Sequence, residues 1–273
     1  MKRELAAAVA IPLVLAILFL LPPVAFDVLV VAIALATVWE FFRIAEKTGL
    51  PVAKTVGLIS SGVLLLTFAA ALAFPDWPRP DPALVAAICV ALVLLAAVAP
   101  LFGGVDLRAA LGGASGTVFG VVSIALPATA MCYLRLVSPR AVLLLFLIVW
   151  GCDSFAYYTG RAFGRRKLAP RVSPNKTWEG TLGGLAGATL IGGAGGQWLV
   201  PELGPAWGAA AGALASSAGQ VGDLVESLWK RGAGVKDSGT FLPGHGGFYD
   251  RIDSLLFAGP VLAAILLLIR RPG

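Results

Sequence analysis

The chain has 273 residues, of which 58% are hydrophobic and 13% charged, and its lysines and arginines exceed its acids to give a net charge of +6. Ordinary soluble domains are about half apolar and a quarter charged, so this chain carries more apolar surface than one aqueous core can hide. A soluble globular enzyme, a disordered chain and a nucleic-acid-binding domain are excluded, and the basic excess is assigned to loops facing a membrane surface.

A helix needs about 20 apolar residues to cross the hydrocarbon of a bilayer. Runs of that kind lie near 5–21, 25–43, 52–74, 83–101, 113–134, 139–159, 180–200, 206–225 and 253–270. They predict an all-α polytopic integral membrane protein with about nine transmembrane helices. The first run follows Lys2 and Arg3 as a signal peptide would. It is long for one, however, and Pro22-Pro23-Val24-Ala25-Phe26 offers no small-x-small cleavage site, so it is read as a retained anchor. With the N-terminus in the cytoplasm, sixteen of the 21 basic residues fall inside and five outside. That bias is the expected one, and an odd number of spans satisfies it.

Residues 1–273 are read as a single membrane domain, with 1–140 mainly helical scaffold and 141–273 a catalytic half. Two long polar connections, 160–179 and 226–251, are separated by two spans and so share the cytoplasmic side; they hold ten of the sixteen inside charges. Outer connections are short and proline-rich, as at 74–82. Cys89, Cys132 and Cys152 lie far apart in apolar sequence, a spacing that fits small buried hydrophobes and neither a disulfide framework nor a zinc site. Glycines recur at four-residue spacing (Gly112, Gly116 and Gly120; Gly183 and Gly187; Gly192 and Gly196; Gly208 and Gly212). No strand precedes them and no Gly-Lys-Ser/Thr follows, so they are read as surfaces for close helix packing in lipid and not as a phosphate cradle.

The stretch from Gln220 to Ser254 is unlike the rest, gathering five carboxylates, four basic residues and the single histidine between two apolar spans. Asp223 and Glu226 are three apart where one helix ends, and Asp250 and Asp253 are three apart where the next begins, so each pair shares a face. Two helix ends bearing carboxylates at one membrane face have the hard oxygen ligands of a Mg²⁺ or Mn²⁺ site. The competing reading is a solvated rim in which these acids pair with Lys230, Arg231 and Arg251. Ionisable groups next to or within apolar helix sequence are costly, and this favours function. The glycines and lysines between them, including Lys236, Gly246 and Gly247, offer backbone amides and cations to a polyphosphate. His245 stands between glycines and is not assigned proton transfer.

The other connection contains Asp153, inside an apolar helix one turn or two from its cytoplasmic end, and Ser173-Pro-Asn-Lys-Thr-Trp-Glu-Gly180. Asp153, Asn175, Lys176 and Glu179 are read as site residues, Lys176 as a point charge suited to a phosphate oxygen. Arg165, Arg166 and Lys167 are read as positive-inside anchors.

Together these residues resemble the phosphatidate cytidylyltransferase (CDP-diacylglycerol synthase) family. Its motif, Ser-x-apolar-Lys-Arg, four residues, Lys-Asp, then Pro-x-His-Gly-Gly-apolar-x-Asp-Arg-apolar-Asp, is filled from Ser227 to Asp253. Trp229 alone departs, standing where the family usually has a smaller apolar residue. The resemblance is specific over roughly the last 120 residues and hydropathic before them. It implies transfer of the cytidylyl group of CTP to phosphatidic acid, giving CDP-diacylglycerol and pyrophosphate, in an enzyme of the inner membrane whose site faces the cytoplasm. It also implies Mg²⁺ held by Asp223 and Asp250, with Lys176 completing an Asp-Lys-Asp catalytic set, a second monovalent cation such as K⁺, and a homodimer. Asp153, Asn175, Glu179, Ser227, Lys230, Arg231, Lys236, Asp237, His245, Gly246, Gly247, Arg251 and Asp253 then surround the substrates.

The chemistry is consistent with this set. A lipid phosphate attacking the α-phosphorus of CTP brings two polyanions together, and each pair of unit charges at ~4 Å repels by about 4 kcal/mol at an effective dielectric of 20. Cations must offset that repulsion, while the lipid phosphate is already ionised and needs no base. A CTP-dependent lipid or polyprenol kinase would use similar groups but transfer the γ-phosphate. A transporter would place ionisable residues at mid-membrane and show a repeat, neither of which is evident here. The Asp-x-x-Asp-Gly…Asp-x-x-x-Asp pattern of CDP-alcohol phosphatidyltransferases is absent.

Overall fold

The computed structural model describes residues 2–73, 82–239 and 246–270. Its helices are α1 (Lys2–Leu20), α2 (Pro23–Lys47), α3 (Lys54–Ala73), α4 (Pro82–Val98), α5 (Leu107–Gly120), α6 (Leu126–Val137), α7 (Pro139–Phe163), α8 (Trp178–Trp198), α9 (Gly204–Gly232) and α10 (Tyr249–Arg270). Local chemistry starts several of them. Pro23 opens α2 at its first turn, where a missing amide costs nothing. Asp106 and Ser138 cap α5 and α7 by accepting the amides of Arg108 and Arg140. Between α5 and α6 the rod continues through a π turn, Val121–Ala125, just before Pro127. Proline has no amide to offer the carbonyl four residues back, and the widened turn relieves that break.

Five helical segments among the described residues are long and apolar enough to cross a membrane: Pro23–Lys47, Ala83–Leu101, Leu107–Val137, Pro139–Phe163 and Tyr249–Arg270. The chain is therefore all-α and membrane-spanning in character. The described apolar parts of α1 and α3 are shorter, Ile11–Leu20 and Lys54–Ala70. Although α8 and α9 are long, they are rich in glycine, which adds length without apolar side chain. The proline-rich connection expected on the outer side, at 74–81, lies outside the described residues.

The chain divides into two compact units, one of residues 1–136 and 232–251, the other of 137–231 and 252–273. In the first, the buried face of α2 (Phe26, Val30, Ala34, Val38, Phe42) forms a core with Leu64, Leu65 and Ile124. A Cβ on Gly113 would strike the carbonyl of Pro51, and one on Gly120 the rings of Phe41 and Phe42. In the second unit, Leu144, Leu145, Ile148, Leu262 and Leu266 are fully buried. There the glycine stripes are contact surfaces. A Cβ on Gly184 would meet the carbonyl of Cys152, and one on Gly192 that of Gly208. Lipid is as apolar as leucine, so helices in it gain from close backbone approach rather than from hydrophobic burial.

Two expectations about boundaries are corrected. Asp223 does not end its helix: α9 runs on to Gly232. Likewise α7 continues to Phe163, so Asp153 lies nearly three turns from its end rather than one or two. The connection after α7 also contains a small antiparallel hairpin that the hydropathy did not reveal, β1 (Lys167–Ala169) with β2 (Ser173–Thr177), in register Lys167 to Thr177 and Ala169 to Ser173.

Candidate active site

The second unit holds a polar cluster built on β2, α7, α9 and α10. Strand β2 presents Lys176, whose Nζ lies 2.5 Å from Oδ2 of Asp223 on α9. Both side chains keep about a third of their surface or less, 27% and 33%, enough for a ligand to reach them. Ser227, one turn along α9, places its hydroxyl 3.4 Å from Oδ1 of Asp223. Asp153 of α7 interacts electrostatically with both Asp223 and Lys176. Asp253 of α10 interacts with Asp223, Asp153 and Lys230. Three carboxylates and Lys176 therefore share one field. Among the described residues no three acidic, histidine or cysteine side chains stand close enough to ligate a single ion.

The hairpin that carries Lys176 is tied down at both ends. Thr177 caps α8 by accepting the amide of Gly180 at 3.1 Å, and the amide of Trp178 donates to the carbonyl of Arg166 at 2.9 Å. The Glu179 carboxylate accepts the amides of Arg165 and Arg166 at 3.1 and 3.2 Å. Its own backbone hydrogen bond, then those of Arg165 and Arg166, together with the Arg166 charge, hold its carboxyl below the ordinary glutamate range. Glu179 thus has backbone partners, while Asn175 is exposed on the strand.

The alternative pairing of Asp223 with Lys230 is not what α9 adopts. Lys230 pairs with Glu226, one turn back, at 2.6 Å, and the Glu226 side chain is 1% exposed. Arg231 donates through Nε to the carbonyl of Val172 at 3.3 Å. These two basic residues of the motif are engaged by α9 and the hairpin, and Lys176 is the cation beside Asp223.

The first unit holds residues 232–251 of the motif. The Asp250 carboxylate accepts three donors at Oδ2: the amide of Ser238 at 2.9 Å, its hydroxyl at 2.8 Å and the amide of Gly247 at 2.7 Å. Gly246 adopts φ +77°, a conformation that suits glycine, and a Cβ there would strike Asp250. Lys236, Asp237 and Arg251 are exposed around this turn. His245 lies outside the described residues.

A model of the cytidylyltransferase family matches residues 1–269. The chain belongs to that family. Among curated relatives, the phosphatidate cytidylyltransferase of Pseudomonas aeruginosa is 48% identical over 126 residues, 46% of each chain. The protein of that name from Brucella abortus is 48% identical over 128 residues, 44% of each chain. The one from Haemophilus influenzae is 46% identical over 123 residues, 44% of this chain and 43% of the relative. The matched segment spans a little under half the length of each of these relatives.

One acid in this cytidylyltransferase-family chain escaped the reading of its sequence. Glu40 of α2 is 5% exposed, and its carboxylate accepts the amides of Phe248 and Tyr249 at 3.1 and 2.9 Å and the hydroxyl of Ser238 at 3.1 Å. The signal was present, since Glu40 is an ionisable residue inside a predicted span. Asp27, at the other end of the same helix, is a second buried acid, facing Arg135 and Cys132.

Proposed function

We propose that this protein transfers the cytidylyl group of CTP to phosphatidic acid, releasing pyrophosphate and leaving CDP-diacylglycerol in the membrane. The observation that carries the reading is the Lys176–Asp223 pair, set among Asp153 and Asp253, in a chain of the cytidylyltransferase family. Curated relatives named phosphatidate cytidylyltransferase support the substrate assignment.

The donor set suits a hard divalent cation. Mg²⁺ characteristically takes one or two carboxylates and fills its remaining positions with water and substrate phosphate, so a crowd of three carboxylates around one ion is not needed. Asp223 is the ligand in the second unit and Asp250 the candidate in the first, with Mn²⁺ as an alternative ion and K⁺ as a second, monovalent one. Bound there, the cation would neutralise phosphate charge as the α-phosphorus is attacked. Lys176 would supply a compact positive charge to a phosphate oxygen while orienting the Asp223 carboxylate. The lipid phosphate is its own nucleophile, so no residue is required to remove a proton.

The same reading places nine spans in the bacterial inner membrane, with the N-terminus and both long polar connections on the cytoplasmic side, and allows a homodimer. The sixteen-to-five distribution of basic residues supports this orientation. Single cysteines at Lys167 and Lys236 should react with an impermeant thiol reagent only from the cytoplasm, and one at Glu202 only from outside. For the reaction, purified protein is given phosphatidic acid and CTP labelled at either the α- or the γ-phosphate. Label from the α position in lipid, with pyrophosphate released, is the expected result. Label from the γ position in lipid would make the protein a CTP-dependent lipid kinase.

A further inference from the structure

Glu40 is a carboxylate in a place where a charge is expensive, and a buried acid persists only if donors converge on it. Its donors are the amides of Phe248 and Tyr249 and the Ser238 hydroxyl. Tyr249 is the first residue of α10. The opening amides of a helix have no partner within it, and the positive end of its dipole favours an anion. Glu40 therefore caps α10 from a helix some 200 residues earlier in the chain, as the separations of 208 and 209 residues record.

The backbone is shaped around this carboxylate. A Cβ on either Gly239 or Gly247 would run into Glu40. Phe41, the next residue of α2, meets the Tyr249 ring edge-on at 6.5 Å between centroids. The Ser238 hydroxyl lies 3.1 Å from Glu40 and 2.8 Å from Asp250. Its one proton serves a single acceptor at a time, so the two carboxylates are linked through a shared hydroxyl as well as through the turn they both bind.

We propose that Glu40 is a positioning residue for Asp250: through Ser238, Gly247 and the first amides of α10 it fixes the turn that aims the Asp250 carboxylate. The role of Asp250 toward the divalent cation rests on the function proposed above; the holding of the turn does not. Outer partners of metal ligands typically change metal affinity or activity by about 10–100-fold when removed.

The test uses full-length protein in detergent or nanodiscs, comparing wild type with Glu40→Ala and Glu40→Gln. Amide exchange of the 246–250 peptide, without ligand, reports the turn directly. Mn²⁺ binding in the presence of CTP, followed by the loss of the free-ion EPR signal, reports the aim of Asp250. Glu40→Ala should speed exchange of that peptide by about tenfold or more and weaken Mn²⁺ by about 10–100-fold. Glu40→Gln keeps one carbonyl acceptor and should fall between it and wild type. If Glu40→Ala does not accumulate, Ser238→Ala removes only the linking hydroxyl and is read in the same way. Unchanged exchange at 246–250 overturns the proposal, and so does faster exchange with wild-type Mn²⁺ affinity, which would make Glu40 a cap and nothing more. Wild-type protein that binds no Mn²⁺ with CTP would instead sink the functional reading, leaving the positioning of the turn to be judged by exchange alone.

Discussion

Asp223 and Asp250 are the two aspartates proposed to hold the divalent cation, yet their surroundings differ. Asp223 faces a charge, the Lys176 ammonium, with other carboxylates nearby. The Asp250 carboxylate takes two amides and a hydroxyl at one oxygen. A charge partner sets how strongly a carboxylate attracts a cation, whereas neutral donors in a fixed turn set where it points. The contrast teaches that the two proposed ligands would divide these tasks: strength at Asp223 tuned through Lys176, and direction at Asp250 through the turn around Glu40.

The largest effects should come from removing either carboxylate charge. Asn keeps the shape and one acceptor oxygen, so at Asp250 it can still receive the donors of Ser238 and Gly247. Asp223→Asn and Asp250→Asn should each lower turnover by about 10³-fold or more, the loss of several kcal/mol of charge stabilisation. Residual activity should require more Mg²⁺ for half-saturation. Mg²⁺ titrations of activity per folded protein make the check. Reduced folded yield with normal turnover and normal Mg²⁺ dependence would make both residues structural and erase the comparison.

Removing Lys176 sharpens it. Lys176→Ala leaves Asp223 among Asp153 and Asp253 without its cation and should cost about 10²-fold in turnover. Exchange of the 246–250 turn should stay at its wild-type rate, because the Ser238 and Gly247 donors to Asp250 do not contact Lys176. Lys176→Arg should rescue poorly, since a planar fork does not reproduce a compact ammonium. Near-normal turnover in the alanine variant would reduce Lys176 to a positively charged anchor.

What the sequence revealed, and what it hid, follows the range of the interactions. Helices were legible because apolar runs of about 20 residues are a local signal. The motif was legible because its polar residues interrupt apolar sequence at a fixed spacing. The hairpin was not: Lys167–Ala169 and Ser173–Thr177 sit among prolines and basic residues and gain their order from pairing and from the Thr177 cap. Read from the residues alone, the acids had Lys230, Arg231 and Arg251 as competing partners; only the family resemblance pointed from Asp223 to Lys176, which reaches it through folding. Glu40 was hidden most deeply, with partners 198 to 209 residues away. A rule treating every acid in an apolar span as a question would have raised it.

Asp253 tests how far the field around Asp223 extends. It lies within electrostatic reach of Asp223, Asp153 and Lys230, and its Oδ1 accepts the amide of Ser254 at 2.6 Å. Asp253→Asn relieves like-charge repulsion while keeping an acceptor for that amide. A loss of about tenfold, milder than at Asp223, is expected if it supports rather than contacts the cation. A loss as large as that of Asp223→Asn would add Asp253 to the ligands.

The smallest effect belongs to Glu179, which ties down the hairpin presenting Lys176. Its folded carboxyl ionises below the ordinary value of 4.5, so its contribution to stability is fully present above pH 4.5 and is lost as pH falls through the folded value. Between pH 5 and 9 it adds no pH dependence. Glu179→Gln offers one acceptor oxygen where the carboxylate has two and turns an amide toward the Arg165 and Arg166 donors. Exchange of the 164–167 amides, corrected for intrinsic rates, should rise severalfold at neutral pH. Wild type should approach the variant only in acid. Turnover should fall by no more than a few-fold with the KM for CTP unchanged, because Lys176 and its partner Asp223 both remain. If Glu179 instead contacts substrate, the KM for CTP will rise while exchange at 164–167 stays at its wild-type rate. The hairpin would then belong to the substrate site in its own right, and the division between strength set by Lys176 and direction set by the Asp250 turn would need a third element.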